Sequence, residues 1–147
     1  MNKCSDIMTK DPLCCLPSDP VDKLAQLMGR RDIGPVLIID NEQTRKLAGI
    51  VTNRDLALKV VAEGRNANTT TAEEIMTRKV MTVRDDDDVQ KALDMMSELQ
   101  LRRIPVIDSS GRIVGILAQA DVATRFNQPQ KTAAVVKDIS QARNISN

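Results

Sequence analysis

Histidine, tryptophan and tyrosine are absent from this chain, and its one aromatic residue is Phe126. Without histidine there is no imidazole base, no imidazole metal ligand and no Ser-His or Cys-His nucleophile pair. The sequence therefore argues against an enzyme. Without aromatic rings the core must be built from Val, Ile, Leu, Met and Ala, and base stacking of the kind that holds single-stranded nucleic acid has no platform. An excess of charge is missing too. Lys and Arg total 21 against 20 acidic residues, a net charge of +1, too little to draw in DNA or an anionic membrane over a distance. Any anion must be bound locally. No apolar run approaches the roughly 20 residues of a membrane span, and the opening MNKCSDIMTKD lacks the apolar stretch of a signal peptide. A soluble cytoplasmic protein is expected. Cysteine is scarce: Cys4, Cys14 and Cys15 are odd in number and show no CxxC spacing. They read as buried or idle thiols of a reducing compartment, with no metal site.

What the sequence does contain is an internal repeat. Ile7-Met8-Thr9 recurs as Ile75-Met76-Thr77, and at the same offset Val21 matches Val89, Lys23 matches Lys91, Met28 matches Met96 and Asp40 matches Asp108. After Asp40 the first copy carries extra residues in NEQTRKLA, compared with SSGRIV after Asp108, and then GIVTNRDLA stands beside GILAQADVA. The length change falls in a turn, where a chain tolerates it. The copies span 4–63 and 71–127, with a polar linker at 64–70 and a tail at 128–147.

Each copy has the same local grammar. Asp85–Asp88 supply cap candidates and first-turn charge for a helix whose apolar residues Val89, Ala92, Leu93, Met96 and Leu99 fall on one face. The first-copy helix starts at Ser18-Asp19-Pro20 and presents Val21, Leu24, Ala25 and Met28. An extended run at Val80–Val83 precedes the second of these helices. Strand pairs follow them, Val36–Ile39 with Ala48–Val51, and Ile104–Ile107 with Ile113–Leu117. Second helices are expected over Arg54–Glu63 and Ala120–Asn127. A short helix at Thr71–Met76 has a capping box in Thr71 and Glu74, and another is expected at Thr132–Ile139 in the tail.

An I-M-T segment, a P-V-I-D strand and a G-I-V-T-x-x-D junction, in an order of elements that both copies share, resemble the cystathionine-β-synthase (CBS) domain family across residues 4–126. The resemblance implies an α+β fold of two β-α-β-β-α repeats related by pseudo-two-fold symmetry. It also implies clefts between the repeats for AMP, ADP, ATP, S-adenosylmethionine or a related regulatory ligand, with no cofactor required.

The first junction matches the family pattern fully: Ile50, Thr52, Asn53, Arg54 and Asp55. A carboxylate can accept from both ribose hydroxyls, and a hydroxyl at a helix N-terminus can reach sugar or phosphate. The purely structural alternative is that Thr52 caps the helix and Asp55 supplies first-turn charge. The resemblance assigns the other half of this cleft to Thr77, Val80, Leu101, Arg102, Arg103, Ile104 and Pro105, the two guanidinium groups being suited to phosphate. A weaker second cleft would use Thr9, Ile33, Gly34, Ile116, Ala118 and Asp121, where Ala118 replaces the hydroxyl residue and Gly34 stands in place of an arginine.

The Asp85–Asp88 run lacks the alternation, glycine and distal glutamate of a calcium loop, so capping is the better reading and no metal is expected. Two functions compete. One is a non-enzymatic module that senses an adenosine ligand and signals to an effector protein; the other is a constitutive dimerisation scaffold with vestigial clefts. The apolar helix faces point to a homodimer.

Overall fold

The apolar spacing of each copy becomes one eleven-residue helix laid on a small sheet. The structure, a computed structural model, describes residues 2–122. In chain order the elements are α1 (Cys4–Ile7), β1 (Thr9–Lys10), β2 (Cys14–Cys15), α2 (Val21–Arg31), β3 (Pro35–Ile39), β4 (Leu47–Thr52) and α3 (Asn53–Leu56). A π-helical turn, Ala57–Val61, continues α3. There follow α4 (Ala72–Ile75), β5 (Val83–Arg84), α5 (Val89–Leu99), β6 (Arg103–Ile107), β7 (Ile113–Ala118) and α6 (Gln119–Asp121). This is the mixed α+β content expected. Residues beyond Val122, including the expected tail helix at 132–139 and most of the helix at 120–127, lie outside the described residues.

Helices α2 and α5 start and stop by the same devices. Asp88 caps α5 by accepting from Gln90 N–H at 2.9 Å, and Pro20 takes the cap position of α2. Both end on a left-handed residue at matched positions, Asp32 (φ 52°) and Gln100 (φ 59°). Just beyond, the N–H groups of Ile33 and Leu101 return to the carbonyls of Met28 and Met96, closing the last turn. The buried faces are slightly narrower than the sequence suggests. Val21, Leu24 and Met28 are buried with Leu27 partly so, and Val89, Ala92, Leu93 and Met96 are buried. Ala25 and Leu99 are exposed, because each sits at the margin of its helix's apolar stripe. The stripes from which a homodimer was expected are thus covered within their own cores.

The chain divides into a continuous unit, Leu13–Val80, and a split unit, Met1–Pro12 with Met81–Asn147. In the continuous unit β2 runs parallel to β3, and β3 pairs antiparallel with β4, placing Val36 opposite Val51 and Leu37 opposite Ile50. In the split unit the strand order is β1-β7-β6-β5. Its β6 and β7 repeat the antiparallel pairing, with Ile104 opposite Leu117. The expected extended run at Val80–Val83 contributes only its last residue to β5. The expected helix Arg54–Glu63 is realised as α3 and its π-helical continuation, ending at Val61.

Each unit borrows the segment that leads the other sequence copy. Ile75 and Met76, which open copy two, are buried in the core around Val21, Leu24, Val36 and Val51. Ile7 and Met8, which open copy one, are buried around Val89, Leu93, Ile104 and Leu117. Backbone pairing fixes the register. Ile50 and Thr77 exchange N–H···O bonds of 3.0 and 2.9 Å, and Thr9 pairs with Ile116 in the other sheet. The expected linker 64–70 is folded onto the continuous unit, where Ala67 and Thr70 carbonyls accept from the first turn of α2.

Glycine makes this docking possible. A Cβ on Gly49 would stand 2.7 Å from Met76 Sδ and 2.9 Å from the Thr77 carbonyl oxygen; one on Gly115 would collide with Met8 Sδ and stand 2.9 Å from the Thr9 carbonyl oxygen. The methionine can move, but the paired backbone cannot without breaking the bridge.

The thiols are structural. All three are free, Cys4 and Cys15 are buried, and Arg45 donates to Cys14 Sγ at 3.5 Å. Burial, reinforced by Asp87 and Asp88, pushes the Cys4 thiol up to about 11. Burial and Asp19 do the same to Cys15. At neutral pH neither carries the thiolate that reactivity needs.

Substitution of Gly49 or Gly115 by alanine should therefore cost about 1–3 kcal/mol of unfolding free energy in a urea titration. Gly29, in α2 with open space where its Cβ would go, is the control: Gly29→Ala should stabilise by about 0.5–1 kcal/mol through helix propensity. A neutral Gly49→Ala would mean that the close approach does not govern the packing.

Candidate functional site

The strand β4 delivers Thr52 to the N-terminus of α3, and the G-I-V-T-x-x-D spacing places Asp55 one turn in. Thr52 and Asp55 close a capping box. Asp55 N–H donates to Thr52 Oγ1 at 3.2 Å, while Thr52 N–H and hydroxyl donate to Asp55 Oδ2 at 2.9 and 3.1 Å. Asp55 Oδ1 lies 3.2 Å from Lys59 Nζ. Asp55 is partly buried, Thr52 is half-buried, and Asn53 and Arg54 beside them are exposed. The structural role anticipated for this pair is realised, and it leaves the carboxylate at the mouth of the junction with its Oδ2 filled.

Other predicted residues belong to the same unit as this junction. Ile50 is half-buried and bridged to Thr77, which is exposed, and Val80 is half-buried at the end of the unit. Asn53 N–H donates to the Gly34 carbonyl at 3.1 Å. Gly34 and Ile33, expected to serve the second cleft, belong to the same folded unit as Asp55.

The second junction is built alike in the split unit. Ala118 N–H donates to Asp121 Oδ2 at 2.9 Å, repeating the Thr52 contact. The hydroxyl that Ala118 lacks comes from elsewhere, because Thr9 Oγ1 donates to Asp121 Oδ1 at 3.0 Å. Asp121 is buried, and Ile116, two residues before Ala118, is the strand partner of Thr9. Thr9 also lines a recess of about 540 Å³ with Ser5, Asp6, Met8 and Lys10. Thr9, Ile116, Ala118 and Asp121 are therefore brought together in the split unit. Arg103 stands opposite Ala118 and Pro105 opposite Ile116, and the Arg102 carbonyl accepts from Gln119 N–H at 3.2 Å. Both arginines are exposed, Leu101 is half-buried, and Ile104 and Pro105 are buried. Ile104 packs in the core of the split unit.

Two contacts escaped the sequence reading. The Lys59 ion pair was signalled by a lysine four residues after Asp55, a helical neighbour. The Thr9 bond to Asp121 had no local signal, since the residues are far apart in sequence.

The acidic run serves as turn and cap. Asp87 Oδ2 accepts from Arg84 N–H at 2.8 Å and lies 3.3 Å from Lys91 Nζ. Partial burial opposes ionisation of Asp87, yet these two partners hold it below the usual carboxylate range. Among the described residues no group of three or more His, Cys, Asp or Glu side chains is placed to hold a metal ion, and no helix is long and apolar enough to cross a membrane.

Comparison with known proteins matches this geometry to a family. The CBS domain model matches residues 4–62 and 72–127. Protein MK0525 of Methanopyrus kandleri is 33% identical over 117 residues, covering 80% of this chain; the chain spans 59% of that protein's length. The solved CBS domain pair of protein MJ0100, in complex with 5′-methylthioadenosine and S-adenosyl-L-methionine, is 32% identical. It superposes with a TM-score of 0.70 over 85% of this chain and 95% of its own. CBSX2 in complex with AMP is 26% identical, with a TM-score of 0.72 over 87% of this chain and 98% of its own. With a family model over both copies and the same fold in solved CBS pairs, the chain belongs to the CBS domain family and carries two of its repeats.

Proposed function

We propose that this chain is a non-enzymatic regulatory module that binds an adenosine-containing ligand, AMP, ADP, ATP or S-adenosylmethionine, and signals its presence to an effector protein. The observation that carries this reading is the Thr52–Asp55 junction, a carboxylate and a hydroxyl held at a helix start two residues beyond Ile50, to which Thr77 is bridged. The ligands of the MJ0100 and CBSX2 complexes support the adenosine class. Ribose presents two hydroxyl donors, and an ionised aspartate is an acceptor for both.

The competing reading is a scaffold whose junctions serve only the fold. It is favoured by the capping contacts that already engage both carboxylates. We favour the ligand reading at Asp55 and the structural one at Asp121. The buried Asp121 holds Thr9 and Ala118 N–H, so its loss would take the acceptor from the half-buried Ala118 N–H. The module is further proposed to work as a homodimer. Leu58 and Val61, 49% and 77% exposed on the turn after α3, offer the apolar surface that the buried stripes of α2 and α5 do not. Light scattering should give twice the monomer mass; monomer alone at tens of micromolar would remove this part.

Calorimetric titration tests the ligand assignment. Asp55→Ala should weaken AMP binding by about ten- to hundredfold, equivalent to about 1.5–3 kcal/mol for charge-assisted bonds. Asp121→Ala should lower stability by about 1–3 kcal/mol and change affinity much less. Equal losses of affinity would mean two comparable sites, and absence of binding by every adenosine compound would leave the scaffold.

A further inference from the structure

Lys59 stands four residues beyond Asp55 on the π-helical turn, and its ammonium meets two groups at once. It lies 3.2 Å from Asp55 Oδ1 and donates a 2.9 Å hydrogen bond to the carbonyl oxygen of Ile75. Ile75 closes α4 and leads directly into Met76 and Thr77, the residues that dock over Gly49 and pair with Ile50.

An ionised carboxylate offers about four acceptor positions, two on each oxygen. Oδ2 of Asp55 already takes the Thr52 N–H and the Thr52 hydroxyl. What remains for an incoming pair of hydroxyls is Oδ1, the oxygen that faces Lys59. A vicinal diol and the ammonium therefore compete for one atom.

We propose that Lys59 is a positioning residue that holds Asp55 until a diol ligand displaces it. Its release also frees the Ile75 carbonyl, so that occupancy at Asp55 loosens the docked segment Ile75–Thr77. The proposal rests on the adenosine reading above and adds to it a route by which binding is felt in the backbone. Lys59 is 45% exposed, so water screens the pair, and the competition amounts to roughly two- to fivefold in affinity rather than orders of magnitude.

The test compares wild type with Lys59→Met, which keeps the apolar stem, and with Lys91→Met, which removes the similar ion pair to Asp87 in the split unit. Without ligand, hydrogen exchange at the Ile50 and Thr77 amides should quicken roughly threefold or more in Lys59→Met and stay unchanged in Lys91→Met. With adenosine as the probe, Lys59→Met should bind roughly two- to fivefold tighter than wild type. It should bind 2′,3′-dideoxyadenosine, which has no diol, with wild-type affinity. Unchanged exchange at Ile50 and Thr77, or adenosine bound no more tightly by Lys59→Met, overturns the proposal. Failure of the underlying reading has a different signature. Asp55→Ala would then bind adenosine as wild type does, while exchange at Ile50 and Thr77 would still respond to Lys59→Met.

Discussion

The close approach of an Ile-Met-Thr segment to a glycine in a neighbouring strand is the contact on which the rest depends. It buries two large apolar side chains per unit, each contributing about 1.5–3 kcal/mol, and it ties the segment to the sheet by bridging Thr77 to Ile50 and by pairing Thr9 with Ile116. The strands that receive these segments then run two or three residues further into the helix starts that carry Asp55 and Asp121. In the split unit the packing that completes the core also sets Thr9 on the Asp121 carboxylate, whereas Asp55 takes its hydroxyl from Thr52 of its own strand end. A change at Gly49 or Gly115 acts on stability and on the junction together.

The two junctions show one device tuned in two ways. At Asp55 the hydroxyl comes from the capping Thr52 and the second oxygen faces a half-exposed lysine. At Asp121 the hydroxyl comes from the docked Thr9 and the carboxylate is buried. Burial without a hydrogen-bond partner is costly, and each carboxylate is held by two donors of the fold, Thr52 N–H and hydroxyl at Asp55, Thr9 hydroxyl and Ala118 N–H at Asp121. The asymmetry thus follows from where the second donor comes from, as well as from the Thr52 and Ala118 difference visible in the sequence.

Much of the fold was legible because the repeat supplies its own check. The four central strands lie within a residue of the runs read from β-branched and aliphatic residues, and α2 and α5 follow from the i, i+3, i+4 spacing. The capping box at Thr71 was legible from its spacing, and Glu74 does accept from Thr71 N–H at 2.7 Å. Its counterpart helix Cys4–Ile7 went unread, although the repeat places it at the matched position. Burial at the stripe margins, Ala25 and Leu99, was not legible because periodicity finds the face and tertiary contact sets its width. The site was legible in residue types and only partly in contacts. Thr9 and Asp121 meet across most of the chain, which no local pattern encodes, and Ile104, read beside a ligand, packs in a core.

The central claim is that an adenosine ligand binds at the junction of β4 and α3. Backbone amide NMR of the isotope-labelled full chain, titrated with AMP and separately with S-adenosylmethionine, reads that site residue by residue. The account predicts that at least one of the two ligands shifts a cluster of resonances at Ile50, Thr52, Asn53, Asp55 and Thr77, with smaller changes at Thr9, Ala118 and Asp121. No shifts with either ligand at millimolar concentration, or a cluster confined to Thr9, Ala118 and Asp121, would contradict it.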